Sequence, residues 1–258
     1  MRYFVADAFT DELFSGNPAG VLLLDRELPD DMLLRIAAEN NLSETAFVKK
    51  NGGGYDLRWF TPKAEVDLCG HATLGAAFII TQFVDMTATS IHFDTKSGRL
   101  TVKKAGDLLE MDFPSRKPEP VEVTPEMEAA IGARIREAHA TRDLLFLLDS
   151  EDDVAELRPD FEKIAALSGY LGVAVTAEGR DVDFVSRFFA PAVGIDEDPV
   201  TGSAHATLLP FWSARLGKTE MTARQISARG GTLYLRDEGE RVKISGRAAL
   251  YLKGEIFV

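Results

Sequence analysis

Half of this chain repeats the other half. Arg35-Ile36-Ala37-Ala38 returns as Lys163-Ile164-Ala165-Ala166, 128 residues on, and Arg58-Trp59-Phe60-Thr61-Pro62 returns as Arg187-Phe188-Phe189-Ala190-Pro191, 129 on. Gly70-His71-Ala72 returns as Gly202-Ser203-Ala204, 132 on, and Gly98, Leu100 and Gly106 return as Gly231, Leu233 and Gly239, 133 on. One such match carries little information. Several in the same order, with a slowly growing offset, indicate a duplicated unit. A chain of 258 residues is long enough for each half to bury its own core.

Patterning within each half gives its composition of elements. A strand is expected at Tyr3–Phe9, then a turn at Gly16–Gly20 leading into the apolar run Val21–Leu24. Pro29-Asp30 signals a helix start, and Leu33, Ile36, Ala37 and Asn40 follow at helical spacing. Asn51-Gly52-Gly53-Gly54 separates the alternating runs Thr45–Lys49 and Tyr55–Phe60, a hairpin signal, and two further strands are expected at Ile91–Thr95 and Leu100–Lys103. Strands, an amphipathic helix, more strands and a second helix after a glycine make an α+β order. Pro114, Pro118, Pro120 and Pro125 lie in a charged stretch, which neither a helix nor a central strand accommodates. The predicted division is therefore 1–115, a linker over 114–125, and 125–247.

The second helix of the first half begins at Gly70 and is apolar on nearly every side, through Leu74, Ala76, Ala77, Phe78 and Ile79, as a buried helix must be. Its counterpart after Gly202 carries Leu208, Leu209, Phe211 and Trp212, with Pro210 expected to kink it. Two buried helices with glycine-led N-termini offer free N–H groups and the positive dipole end to an anion. Close helix packing alone is the simpler account of each glycine.

Charge and cysteine usage narrow the function classes. A formal net charge of -12 leaves no basic excess to replace counterions on a nucleic acid, but does not exclude a small anion held by backbone amides. The single cysteine, Cys69, excludes an intrachain disulfide and a multi-cysteine zinc site. Asp7, Asp11 and Glu12 stand where a signal peptide needs an apolar run, and the apolar stretch Ala72–Ile80 is too short for a bilayer. A cytoplasmic protein without a membrane partner is expected. His92, His139 and His205 have no ligand spacing with Cys or carboxylates, so no metal is expected, and there is no phosphate-binding or dinucleotide glycine loop.

The blocks Asp7-Ala8-Phe9-Thr10, Ser15-Gly16-Asn17-Pro18, Leu42-Ser43-Glu44-Thr45-Ala46-Phe47, Asp67-Leu68-Cys69-Gly70-His71-Ala72-Thr73 and Glu197-Asp198-Pro199-Val200-Thr201-Gly202-Ser203-Ala204-His205 resemble the signature blocks of the phenazine-biosynthesis PhzF-like isomerase family. The resemblance spans nearly the whole chain and includes Gly246-Arg247-Ala248 and Gly254-Glu255. It implies a diaminopimelate epimerase-like fold, two similar α+β domains in each of which a sheet wraps a central helix. It further implies that the C-terminal strand, about 248–258, joins the first domain, that the protein is a homodimer, and that no cofactor is needed. It also implies that Glu44 is the acid/base and that His71, Asp198 and Ser203 hold and orient the substrate, with Gly70, Gly202 and, more weakly, Gly16 and Asn17 at the site. A partly desolvated carboxyl can take and return a proton, an effect typically worth about 10²–10⁴-fold. Ser203 can donate to a carboxylate, His71 can donate a hydrogen bond, and Asp198 can pair with an amine or with His71.

Diaminopimelate epimerases use two opposed cysteines; here the second position is Thr201, whose hydroxyl is too weakly acidic to replace a thiol. Cys69 then reads as a small buried residue. The second half offers Gly169 or Tyr170 where the first has Glu44. One acid/base suits a proton shift between carbons of a small carboxylated substrate, whereas inversion needs two groups on opposite faces. Two other readings remain open: an amino- or hydroxy-acid epimerase or racemase using Cys69 and Glu44, and a binding protein that kept the fold without turnover. Phe60, Phe189 and Phe211 suit either a pocket lining or a core.

Overall fold

A computed structural model describes residues 1–258. The chain divides into unit 1, Met1–Asp112 with Ser245–Val258, and unit 2, Phe113–Ile244. In chain order, unit 1 runs β1 (Arg2–Ala8), β2 (Asn17–Leu24), α1 (Asp30–Asn40), β3 (Glu44–Asn51), β4 (Gly54–Phe60), β5 (Glu65–Val66), α2 (Gly70–Phe83), β6 (Ser90–Thr95), β7 (Gly98–Ala105) and β8 (Leu108–Pro114). Unit 2 follows with β9 (Glu119–Val121), α3 (Pro125–Ile131), β10 (Glu137–Ala140), β11 (Leu144–Leu147), α4 (Glu151–Glu156), α5 (Phe161–Ala166), β12 (Val173–Glu178), β13 (Phe184–Ala190), β14 (Ile195–Asp198), α6 (His205–Leu216), β15 (Glu220–Gln225), β16 (Gly231–Asp237) and β17 (Arg241–Gly246). The last strand, β18 (Ala248–Glu255), returns to unit 1.

In unit 1, β18 pairs antiparallel with β1, β1 antiparallel with β2, and β2 parallel with β3. The hairpin β3–β4 is antiparallel, β4 runs parallel to β6, and β6, β7 and β8 continue antiparallel. Each parallel pair needs a crossover, supplied by α1 and α2 respectively. Helix α2 lies against β1, β2 and β3 and buries ten of its 14 residues, which explains why its sequence has no polar face.

Unit 2 has the same ladder. β9 pairs antiparallel with β10, β10 antiparallel with β11, β11 parallel with β12, β12 antiparallel with β13, β13 parallel with β15, and β15 antiparallel with β16. The terminal strand β18 thus takes in unit 1 the place that β9 takes in unit 2. The core of unit 2 gathers Phe146, Val175 and Phe189 with Ile131 of α3 and Ile164 of α5.

Three local expectations change. The proline-rich stretch 114–125 contains β9, with Pro120 opposite His139; an edge strand leaves one side without ladder bonds, where proline's missing N–H is harmless. The segment Asn17–Gly20 is not a turn but the start of β2. The turn lies upstream and closes at Gly16, whose φ of +67° and 2.2 Å Cβ clearance from the Ala8 carbonyl oxygen leave no room for a side chain. After Gly202 the chain makes a 3₁₀ turn, Gly202–Ala204, before α6 begins at His205. No helix is long and apolar enough to cross a membrane.

Candidate active site

Glu44 is the first residue of β3 and sits opposite Ala19 of β2, just after α1 ends at Asn41 in the left-handed region. Cys69 occupies the N-cap of α2, with Gly70 and His71 as its first two helical residues. This folding brings together three titratable groups of unit 1, with Glu44 9%, Cys69 7% and His71 6% exposed. His71 Nε2 lies 3.2 Å from Glu44 Oε2, and His71 Nδ1 lies 3.5 Å from Cys69 Sγ. The imidazole therefore bridges a carboxylate and a thiol.

Burial pushes the Cys69 thiol up, and the Glu44 charge adds to the effect, so the thiol keeps its proton. Burial opposes a charge on His71, but its contacts with Cys69 and Glu44 outweigh this and lift the imidazole well above its ordinary value. With Cys69 neutral, the Glu44 carboxylate is the anion that favours a protonated ring. His71 then donates to Glu44 and holds one carboxylate oxygen in place. One donor atom from each of Glu44, Cys69 and His71 lies within 4.8 Å of the others, so these are the residues able to share an ion. Cys69 is buried, as expected, with its thiol against the imidazole.

In unit 2, Thr201 takes the place of Cys69 and Ser203 that of His71. A directed hydrogen-bond chain orders this loop. Gln225 Oε1 accepts from the Thr201 backbone N–H at 2.8 Å, which fixes its amide orientation. Its Nε2 then donates to the Asp198 carbonyl at 2.7 Å and to Thr201 Oγ1 at 3.2 Å. Thr201 Oγ1, already an acceptor, donates to Asp198 Oδ2 at 2.5 Å, so Asp198 is held as an acceptor. Ser203 Oγ accepts from Arg142 at 3.4 Å. Asn17 is fully buried at the start of β2 in unit 1.

The ladders identify the true counterpart of Glu44. Thr45 stands opposite Phe60, and Val173 stands opposite Phe189, the duplicate of Phe60. Glu44 is therefore matched by Gly172 rather than by Gly169 or Tyr170. A Cβ on Gly172 would stand 2.4 Å from Phe188 Cζ and 2.9 Å from the Phe189 carbonyl oxygen, so unit 2 has no space for a side chain there. Phe60 and Phe189 are core residues, and Phe211 packs edge-on to Trp212.

Several supporting residues escaped the sequence reading. Arg58 makes a two-pronged bond to Glu65 at 2.7 and 2.9 Å with its guanidinium over Phe60, and Arg187 does the same to Glu197 at 2.7 and 2.9 Å over Phe189. Each clamp ties the strand pair just upstream of a glycine-led helix start. Both arginines lay inside the repeated block; their partners did not. At the fourth residue past each N-cap, Thr73 Oγ1 donates to the Cys69 carbonyl at 2.6 Å and His205 Nδ1 reaches the Thr201 carbonyl at 2.9 Å. Different side chains perform one task, which no sequence match reveals.

The phenazine biosynthesis-like (PhzC-PhzF) family model matches residues 6–254. The chain belongs to this family. A Pseudomonas aeruginosa protein named as an uncharacterized isomerase is 51% identical over 256 residues, covering 99% of this chain and 98% of the relative. A crystal structure of a PhzF-family phenazine biosynthesis protein from Enterococcus faecalis superposes with a TM-score of 0.98 at 49% identity, covering 100% of this chain and 99% of that one. A probable proline racemase from Agrobacterium radiobacter, at 11% identity and a TM-score of 0.62, covering 100% of this chain and 93% of that one, shares the fold alone. The protein is thus a PhzF-like isomerase with the diaminopimelate epimerase-like architecture expected from its sequence.

Proposed function

We propose that this PhzF-like isomerase moves a proton between two carbons of a small carboxylated substrate without a cofactor, with Glu44 as the single acid/base. The observation that carries the reading is the buried Glu44 carboxylate hydrogen-bonded by His71 at the head of α2. A carboxylate held this way has one oxygen fixed by the imidazole and the other available to take a proton from carbon and return it. Substrate binding is assigned to Gly70, His71 and Asn17 in unit 1 and to Asp198, Gly202 and Ser203 in unit 2. A substrate carboxylate would be received by backbone N–H groups at a glycine-led helix start.

Racemisation by Glu44 and Cys69 is disfavoured by their spacing. Two groups sandwiching one carbon stand about 3–3.5 Å from it on opposite faces, hence roughly 6–7 Å apart. The donor atoms of Glu44 and Cys69 lie within 4.8 Å of each other, against one imidazole.

The test is solvent-proton exchange. Small carboxylates bearing an allylic C–H are incubated in heavy water with the wild type and with Glu44→Gln, and deuterium uptake is followed by NMR. Uptake in the wild type that falls at least about 10²-fold in the variant is expected. Undiminished uptake in Glu44→Gln would remove the assignment.

A further inference from the structure

We propose that Glu44, Cys69 and His71 form a binding site for one soft or borderline divalent cation, of which Zn²⁺ and Cd²⁺ are the natural probes, and that the metal-bound protein is a switched-off state. The donor set selects the ion. An imidazole nitrogen, a sulfur and a carboxylate oxygen suit zinc and cadmium, whereas Mg²⁺ and Ca²⁺ take oxygen ligands. Zinc holds imidazole nitrogen at about 2.0–2.1 Å, thiolate sulfur at about 2.3 Å and carboxylate oxygen at about 2.0–2.2 Å, which places neighbouring donors of a tetrahedron roughly 3.3–3.7 Å apart. Here Glu44 Oε2 and His71 Nε2 are 3.2 Å apart and Cys69 Sγ is 4.0 Å from the same nitrogen. All three donors lie within 4.8 Å, so small side-chain rotations close the set.

Charge supports the same conclusion. A thiolate and a carboxylate neutralise a divalent ion, and the imidazole binds as a neutral ligand, so the occupied site carries no net charge into its buried surroundings. Binding sends the Cys69 thiol proton, and any proton on His71, to solvent; no other bond changes. Three protein ligands leave a fourth position for water. The ion would engage the carboxylate and the imidazole needed for proton transfer. Inhibition therefore rests on the acid/base reading of Glu44, whereas binding does not.

Tag-free protein is stripped with a chelator and titrated with Cd²⁺, following the thiolate-to-cadmium charge-transfer band in the ultraviolet, with Zn²⁺ stoichiometry measured by calorimetry. One ion per chain is expected. Cys69→Ser should abolish the band, and Cys69→Ser and His71→Asn should each weaken Zn²⁺ binding by more than about 100-fold. Because Cys69 is the only cysteine, a second measurement needs no variant: Zn²⁺ should slow modification of the native thiol by a disulfide reagent, and a chelator should restore it. Equal Zn²⁺ affinity in wild type and Cys69→Ser, no thiolate band, or an unprotected thiol would each overturn the site. Metal binding that leaves heavy-water exchange intact would uphold the site and overturn inhibition together with the Glu44 reading. Absence of binding, with exchange still dependent on Glu44, would overturn the site and the inhibition and leave the Glu44 reading standing.

Discussion

Mild acid should weaken the protein through His205. This residue is fully buried at the start of α6, donates from Nδ1 to the Thr201 carbonyl, and stacks on Phe184 with ring centroids 5.9 Å apart. Burial pushes its imidazole down from 6.5 to about 4, with the Thr201 hydrogen bond opposing. Between those values the unfolded chain binds a proton that the folded chain refuses. The stability from neutral His205 is thus complete above the unfolded value and lost as pH falls towards about 4. At about 1.4 kcal/mol per unit, the loss accumulates to about 3 kcal/mol. His71 acts on the other side: its value is raised, so its contribution is present below its unfolded value and lost as pH rises. Glu65, held at about 2 first by its hydrogen bond to Arg58, begins to matter only below about pH 4.5. The difference between the wild type and a non-titrating variant over about pH 6.5 to 4.5 therefore isolates His205. Urea denaturation can be followed by Trp212 fluorescence in unit 2 after Trp59→Phe silences unit 1. The expected loss across the window is about 2–3 kcal/mol. His205→Asn keeps an amide N–H near the Nδ1 position and does not titrate, so its profile should lack this loss. Parallel profiles for the two proteins would refute the reasoning.

Arg187→Met should cost about 3–5 kcal/mol in denaturant unfolding of unit 2, because it strands Glu197 and the carbonyls of Val154 and Leu157 that Arg187 also serves. Arg58→Met should cost less, since the Arg58 side chain is 30% exposed against 11% for Arg187; equal losses would contradict the burial argument. Gly172→Ala should destabilise by about 1–3 kcal/mol through overpacking against Phe188 and the Phe189 carbonyl, and unchanged stability would show that the space exists.

The duplicated architecture was legible because it rests on periodic and punctuating residues. The all-apolar stretch after Gly70 could only be a buried helix, and Asn51–Gly54 could only break a hairpin. Glu44 and His71 were named from the resemblance, but their 3.2 Å contact joins residues far apart in sequence, which only the parallel β2–β3 pairing and the placement of α2 create. The polar scaffold was harder to read. Gln225 lies 24 residues from Thr201, on the strand after α6, and nothing local distinguishes it from any strand glutamine. The 114–125 stretch was misleading for a physical reason: prolines argue against a central strand, and β9 is an edge strand.

Duplication would by itself give two equivalent sites, and the two units depart from equivalence in a consistent direction. Both keep what presents a helix start: a glycine, an arginine–glutamate clamp upstream, and a side chain four residues past the N-cap bonded to its carbonyl. They differ wherever a proton could be handled. Unit 1 has Glu44, Cys69 and His71; unit 2 has Gly172, Thr201 and Ser203, none of which titrates near neutrality. The difference is also guarded sterically, because Gly172 cannot accept a side chain without displacing Phe188 or the backbone at Phe189. In unit 2, Thr201 instead spends its hydroxyl on Asp198, holding that carboxylate as a fixed acceptor. The backbone plan of the helix start is thus shared, while the Glu44–His71–Cys69 cluster occurs in unit 1 alone, an asymmetry that supports the proposed shift by one acid/base over a two-base inversion.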